Sequence, residues 1–189
     1  MKPHLTLSTA MLFVALTSLP AVEPQRSAAA NLQDVRVESL TLDLGGGVTM
    51  KFVKIPAGKF MMGVPEDAPD RDKQDLAERE GAISEAFWIG MTEVTQAQYE
   101  TIMGDNPSKS IRKPLCPVET VTPKQVDEFC KRLSEKTGKS ARMPTEVDWE
   151  YAARAGSDGL GDSKLTDVAW CQSNSEAKPH SVGSKAPNA

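Results

Sequence analysis

The length of 189 residues and a hydrophobic share of 39% fit one domain of ordinary size. The 22 basic residues are outnumbered by 26 acidic ones, the net charge is −4, and no cluster of basic residues is present. Because nucleic-acid binding needs clustered Lys and Arg that neutralise phosphates, the composition excludes a general nucleic-acid-binding protein.

The first 30 residues have the pattern of a secretory signal peptide. Lys2 supplies the positive charge, and Leu5–Leu19 is an apolar run shorter than the roughly 20 residues of a transmembrane helix. Ser27–Ala30 offers a cleavage site before Asn31, with an earlier one after Ala21. We therefore expect an exported protein, periplasmic or secreted, with no membrane association after cleavage; an uncleaved anchor is the alternative.

Residues 31–47 predict a strand and a turn. Apolar residues alternate up to Leu44, and the phase slips between Val37 and Leu40, as at a β-bulge. The three glycines Gly45–Gly47 follow, and they favour a tight turn over a phosphate loop because no Gly-Lys-Ser/Thr comes after them.

The next segment predicts a hairpin and then a polar loop. Val48–Ile55 alternates as a strand, Pro56–Lys59 has the pattern of a type II turn, and Phe60–Gly63 reads as the returning strand. The acid-rich Glu66–Gly81 lacks the ligand spacing of an EF-hand, so a solvated loop is predicted rather than a calcium site.

Three helices are predicted from capping boxes, in which a Thr precedes a polar side chain by three residues. The pairs are Thr95 with Gln98, Thr122 with Gln125, and Thr145 with Asp148; the predicted stops are Gly104, Gly138 and Gly156. In the second helix one face carries Val126, Phe129, Cys130 and Leu133. Cys130 is therefore interpreted as a core residue rather than a nucleophile.

The third helix contains the densest group of polar and aromatic residues, in "RMPTEVDWEYAARAG" from Arg142 to Gly156. Trp149 is followed on one face by small residues, so this face is predicted to pack closely on another element. Glu150 and Arg154 form an ion pair at i, i+4. A structural role is predicted for Thr145, Asp148, Trp149, Glu150, Arg154 and Gly156.

The chain has three cysteines and little histidine. Cys116, Cys130 and Cys171 allow either one disulfide with a free thiol or three free thiols. Apart from His4 in the predicted signal peptide, His180 is the single histidine, which excludes a His-rich metal site.

Five stretches in order resemble the formylglycine-generating enzyme, or sulfatase-modifying factor, family. They are "FVKIPAGKFMMG", "FWIGMTEVTQAQYE", "PVETVT" with "FCKRLSEKTGKSAR", "RMPTEVDWEYAARAG" and "VAWCQSNSEAKPHSVGSKAPN", between Phe52 and Asn188. The resemblance implies an α+β fold related to C-type lectins, with short strands, a few capped helices and much loop. After the predicted signal peptide (1–30) and the N-terminal strand and Gly turn (31–47), residues 48–189 therefore resemble the N-terminal two thirds of the family domain.

The resemblance implies oxidation of a sulfatase cysteine to formylglycine with copper and oxygen, so a sulfatase polypeptide is the expected partner. In the family, the cysteine pair that binds copper lies in the segment after a Pro-Asn like the one at the end of this sequence. None of the three cysteines here matches a position of that pair. We therefore assign no catalytic residue and expect copper only with that further segment. Asn174 matches a calcium ligand of the family.

The alternatives to the sulfatase-modifying enzyme are a non-catalytic binding or scaffold module on the same fold and an inactive gene fragment. A further alternative is a related iron oxygenase. Such an enzyme needs clustered histidines, so the lone His180 disfavours it.

Overall fold

The protein is described by a computed structural model that covers residues 12–17, 38–64, 66, 77–156 and 165–188. The strands are β1 (Ala15–Thr17), β2 (Ser39–Gly45), β3 (Val48–Ile55), β4 (Gly58–Met62), β5 (Arg79–Ile83), β6 (Phe87–Gly90) and β7 (Ala141–Arg142). The helices are α1 (Gln96–Met103), α2 (Pro123–Thr137), α3 (Glu146–Arg154) and α4 (Leu165–Val168). Within these covered ranges no helix is long and apolar enough to cross a membrane.

A five-stranded sheet organises the fold. Its order is β2-β3-β6-β1-β7, and all of its neighbouring strands are antiparallel. β4 and β5 form a separate antiparallel pair. Antiparallel strands with helices packed beside them confirm the predicted α+β class.

β2 and β3 form the hairpin that the glycines predict. Gly45, Gly46 and Gly47 all have positive φ values (87°, 62° and 80°), which glycine adopts at little cost. The register shifts between Asp43 and Gly45, where the Asp43 carboxylate accepts a hydrogen bond from the Gly45 amide at 2.8 Å. The predicted bulge lies further upstream, and Val37 is outside the described residues.

The predicted pairing of β3 with the next strand is wrong. β4 pairs with β5 instead, with Phe60 opposite Gly81, so Arg79–Gly81 belongs to a strand rather than to a polar loop. Gly81 allows this pairing because the Phe60 ring lies against its backbone; a Cβ there would come within 2.6 Å of the ring. Of the rest of the predicted loop, only Glu66 and residues 77–78 are among the described residues.

All three capping boxes are confirmed. The hydroxyls of Thr95, Thr122 and Thr145 each accept from the backbone amide three residues on, and the side chain at that position accepts from the threonine amide. α1 and α2 end at Gly104 and Gly138 in left-handed conformation, as predicted. α3 ends one residue before the predicted glycine: Ala155 takes the left-handed cap with φ 47°.

Two apolar clusters hold the elements together. The larger one joins β2 and β3 to α1 and α2, and it contains Val126, Phe129, Cys130 and Leu133, as predicted. The Tyr99 and Phe129 rings stack within it at 5.4 Å. The smaller cluster consists of Ala15, Ile83, Phe87 and Ile89, with α3 packed on it through Val147, Tyr151 and Ala152.

The apolar N-terminal run supplies the strand β1. Ala15 lies opposite Ile89 of β6 on one side and Arg142 of β7 on the other, so β1 is an interior strand. Leu12, Val14, Ala15 and Leu16 are at most 2% exposed. These residues belong to the predicted signal peptide, and the structure uses them as part of the sheet. The predicted cleavage sites lie outside the described residues.

Candidate functional site

The N-terminus of α3 is built around a buried carboxylate. Asp148 is 7% exposed and accepts hydrogen bonds from the Thr145 amide at 2.9 Å and from the Arg142 guanidinium at 2.6 Å. Burial alone would raise the pKa of Asp148, but the hydrogen bonds from Arg142 and Thr145 outweigh it, and the pKa lies below its ordinary value. The carboxylate is therefore charged at neutral pH and ties β7 to α3.

Glu150 and Arg154 form a clamp that reaches beyond their helix. The Glu150 carboxylate accepts from the Arg154 guanidinium at 2.7 Å and from the Gly63 amide at 2.8 Å. Arg154 in turn donates to the Gly63 carbonyl at 2.7 Å. The predicted helical pair is thus present, and it also fixes the segment that follows β4 to α3.

The predicted packing face of α3 is only partly correct. Trp149 is half-buried and lies edge-on to Phe13, with the ring centroids 6.4 Å apart. Gly156 is exposed and follows the cap. The helix is turned so that Val147 and Tyr151 contact the smaller cluster. Gly58 accommodates the Tyr151 hydroxyl, which would collide with a side chain at that position.

A cleft of about 400 Å³ opens beside this helix N-terminus. It lies at the Thr17 end of β1, between the β5–β6 connection and α3. Its lining is Thr17, Ala82, Ile83, Ser84, Glu85, Ala86, Phe87, Arg142, Thr145, Val147 and Asp148. The lining combines charged, polar and apolar groups, which suits a peptide better than a small apolar ligand.

The sequence from residue 47 to residue 189 matches the FGE-sulfatase family, described as the sulfatase-modifying factor enzyme 1-like domain. The chain belongs to the FGE-sulfatase family. This confirms the resemblance in the sequence, since the matched stretches include the α3 box.

Two known proteins are similar to this chain. The chain is 28% identical to "Chaperone protein LppX" of Paenibacillus barcinonensis, over 57% of this chain and 51% of that protein. It therefore spans about half the length of that relative. The fold is similar to that of PvdO from Pseudomonas aeruginosa, with a TM-score of 0.60 and 25% identity, covering 79% of this chain and 68% of the other.

The three thiols of this FGE-sulfatase domain are free and buried, which resolves the alternative left open by their odd number. Burial, with a contribution from Asp127, raises the pKa of Cys130 to about 11, so this thiol is protonated at neutral pH. The Ser173 hydroxyl, 3.1 Å from the Cys171 sulfur, lowers the pKa of that thiol.

Asn174 braces the loop that follows α4. Its amide oxygen accepts from the Cys171 amide at 2.7 Å, and its NH₂ group donates to the carbonyls of Thr166 and Ala169 at 3.2 and 3.0 Å. The Lys185 ammonium lies 2.5 Å from the Thr166 carbonyl. Calcium takes six to eight oxygens, and this arrangement does not fit it. In the ranges covered by the structure, no group of three or more acidic, His or Cys side chains could hold a metal.

Two features escaped the sequence analysis. Glu119, in the irregular segment before α2, accepts from the amides of Lys109 and Ser110 at 2.5 and 2.7 Å and from the Thr120 hydroxyl. A single acid in a Pro-rich loop gives no periodic signal. The second feature is β1, because an apolar run of this length fits an export signal as well as a buried strand.

Proposed function

We propose that this chain is an exported, non-catalytic member of the FGE-sulfatase family that binds extended polypeptide segments. One observation carries the proposal: an extended apolar segment lies inside the sheet as β1 and points with Thr17 into the open cleft. A fold that holds a strand this way offers backbone hydrogen bonds that are independent of side-chain identity, which is the basis of strand-addition binding.

The chemistry of the α3 box supports a binding role. The two less exposed carboxylates of the box help to hold the fold, Asp148 through Arg142 and Thr145, and Glu150 through Arg154 and Gly63, whereas Glu146 lies exposed at the start of α3. Cys130 is a protonated core thiol. A general acid or base has to reach a substrate, and the hydrogen bonds of Asp148 and Glu150 instead hold these carboxylates against the backbone and side chains of the fold.

The relative from Paenibacillus barcinonensis is named a chaperone. Chaperones bind polypeptides without converting them, and the same role for this chain is part of the proposal. The sulfatase partner implied by the family becomes one candidate client among extended polypeptides.

A binding experiment tests the proposal. Fluorescence anisotropy with a labelled, carboxymethylated and therefore permanently unfolded polypeptide is expected to show saturable binding. Ser84→Trp, which fills the cleft, is expected to weaken binding about tenfold, an effect of about 1.4 kcal/mol. Ser181→Trp is the matched control at an exposed serine outside the cleft lining and should bind like the wild type. Equal binding by both variants would show that the cleft does not take part in polypeptide binding.

A second experiment separates binding from catalysis. The chain is incubated with a Cys-Thr-Pro-Ser-Arg peptide, copper and oxygen, and the peptide mass is measured. An unchanged peptide mass supports the non-catalytic role. Formation of formylglycine would contradict that role and show that the chain has the enzymatic activity of the family.

Export is tested by fusing residues 1–37 to a reporter that is active only outside the cytoplasm. Activity of the fusion, and its loss when Val14 and Leu16 are both replaced by Arg, is the expected result, because the charges interrupt the apolar run. Equal reporter activity from both fusions would contradict the export signal.

A further inference from the structure

The cleft beside the N-terminus of α3 combines apolar residues with short, exposed ones. Ile83 and Phe87 line it as buried residues, and Val147 of α3 is half-buried. Ala82 and Ser84 are exposed, and their side chains are among the shortest there are. A polypeptide can therefore approach this part of the lining closely and reach apolar surface there.

Three charged side chains line the cleft, and two of them neutralise each other. The Arg142 guanidinium donates to the Asp148 carboxylate at 2.6 Å and to the Met143 carbonyl at 3.1 Å. Asp148 in turn accepts from the Thr145 amide. Because the opposite charges of Arg142 and Asp148 are in contact, they contribute little to the net charge that a ligand meets.

Glu85, the third charged residue of the lining, has no such partner. It is exposed, and within the described part of the chain its carboxylate makes neither an ion pair nor a hydrogen bond. One positive and two negative side chains leave the lining with one negative charge. The whole chain is also negative, with a net charge of −4. A cationic ligand is therefore attracted at short range by Glu85 and at long range by the molecule.

Lys and Arg side chains have the two kinds of group that this lining can contact. Their aliphatic stems cover apolar surface while the charged head stays in water. Ile83, Phe87 and Val147 offer apolar surface to the stem, and the Glu85 carboxylate offers a partner to the head. A client carboxylate would have to compete with Asp148 for Arg142, since that guanidinium is the positive group of the lining.

We propose that the cleft selects extended polypeptides that carry a Lys or Arg side chain, with Glu85 as the residue that determines this specificity. The inference rests on the proposed polypeptide binding and adds the chemistry of the client to it. The apolar residues of the lining contact the stem and the neighbouring backbone, and Glu85 pairs with the ammonium or guanidinium group.

Three labelled peptides with blocked ends test the preference. They are Ser-Thr-Val-Lys-Val-Thr-Ser and its counterparts with Gln or Glu in place of Lys. Fluorescence anisotropy with the full chain at low ionic strength gives the affinities. The Lys peptide is expected to bind about fivefold more tightly than the Glu peptide, with the Gln peptide between them. This difference is expected to shrink as salt is added, because salt screens an exposed carboxylate.

Variants locate the charge that is responsible. Glu85→Arg is expected to reverse the order, so that the Glu peptide binds best, and Glu85→Gln is expected to abolish the preference. Glu100→Arg is the matched control, since it changes the net charge of the chain equally at an exposed position of α1 outside the lining. This control should still prefer the Lys peptide. An equal effect of Glu85→Arg and Glu100→Arg would overturn the inference, because the overall charge would then set the preference.

The remaining outcomes separate the specificity from the proposed function. Equal binding of the three peptides by the wild type would overturn the specificity and leave polypeptide binding standing. Tightest binding of the Glu peptide by the wild type would also overturn it and assign recognition to Arg142. If neither the peptides nor the carboxymethylated polypeptide bind, the inference and the proposed function fall together.

Discussion

Glu150 connects residues that are far apart in the sequence. Its carboxylate accepts from Arg154 one helical turn away and from Gly63, 87 positions earlier. The two side chains are only 21% and 18% exposed, so water screens the ion pair less than it screens a surface pair. The sequence alone predicts the local pair, whereas the backbone contact depends on how α3 lies on β4.

Glu150→Ala is expected to destabilise the protein by about 1–3 kcal/mol, because the Gly63 amide loses its acceptor and the Arg154 guanidinium loses its carboxylate partner. Urea denaturation followed by circular dichroism measures the effect. Glu128→Ala is the matched control, since it breaks another Glu–Arg pair at i, i+4, whose side chains are about twice as exposed, at 39% and 45%. A similar shift of the urea midpoint in both variants would mean that the contact with Gly63 contributes nothing.

Asp148→Asn tests the buried carboxylate through pH. A pKa below the ordinary value of 3.8 in the folded protein means that Asp148 stabilises it above that pH and loses this contribution as the pH falls through the lowered pKa. The unfolding free energies of wild type and variant should differ at pH 7 and converge towards pH 2. A difference that does not change with pH would show that the charge of Asp148 does not contribute.

Asn174→Ala is expected to lower the melting temperature by the same amount with and without CaCl₂. The reason is that the amide holds backbone groups of Thr166, Ala169 and Cys171 directly. Differential scanning calorimetry checks this. If calcium raises the melting temperature of the wild type and not that of the variant, the calcium role inferred from the family holds instead.

At the scale of elements, α1, α2 and α3 were predictable, whereas α4 and the strand partners were not. A capping box lies within four residues, so Thr95, Thr122 and Thr145 could be identified as helix starts without tertiary information. The partner of β4 depends on a contact between Phe60 and Gly81, 21 positions apart, and nothing near Phe60 specifies it. Alternation identified β2 and β3, since the side-chain period is local, but it did not identify the shorter strands β1, β5 and β7.

The β4–β5 pair depends on the absence of a Cβ atom at Gly81, where the Phe60 ring packs against the backbone. Gly81→Ala is expected to cost about 1–3 kcal/mol, because the new Cβ would lie 2.6 Å from the Phe60 ring. Thermal unfolding measures the loss. The double variant Gly81→Ala/Phe60→Ala should cost less than the sum of the two single variants, since the smaller side chain makes room for the methyl group. Additive costs would contradict this contact.

At the scale of the whole molecule, the family and the fold class followed from ordered motifs, while the role of the N-terminus did not. The run from Leu12 to Leu16 is apolar on both faces, as an interior strand requires. The same composition is required by an export signal. No local feature separates the two, so only the complete sheet shows where these residues lie.

Residues 31–189 alone are expected to be marginally stable, with a melting temperature roughly 10–30 °C below that of the full chain. The shorter protein lacks the buried side chains of Leu12, Val14 and Leu16, each of which stabilises a fold by about 1.5–3 kcal/mol. Circular dichroism melts of both proteins give the comparison. An equally high and sharp transition for residues 31–189 would show that the sheet does not need β1.

The position of β1 in the sheet also sets an order of events during synthesis. Ala15 pairs with Arg142, so this strand leaves the ribosome 127 residues before its last neighbour exists. At roughly 5–20 residues per second, the apolar segment remains without β7 for roughly 6–25 s. For this interval the apolar residues of β1 cannot be buried between β6 and β7. Recognition of the proposed export signal would therefore have to take place before the sheet closes.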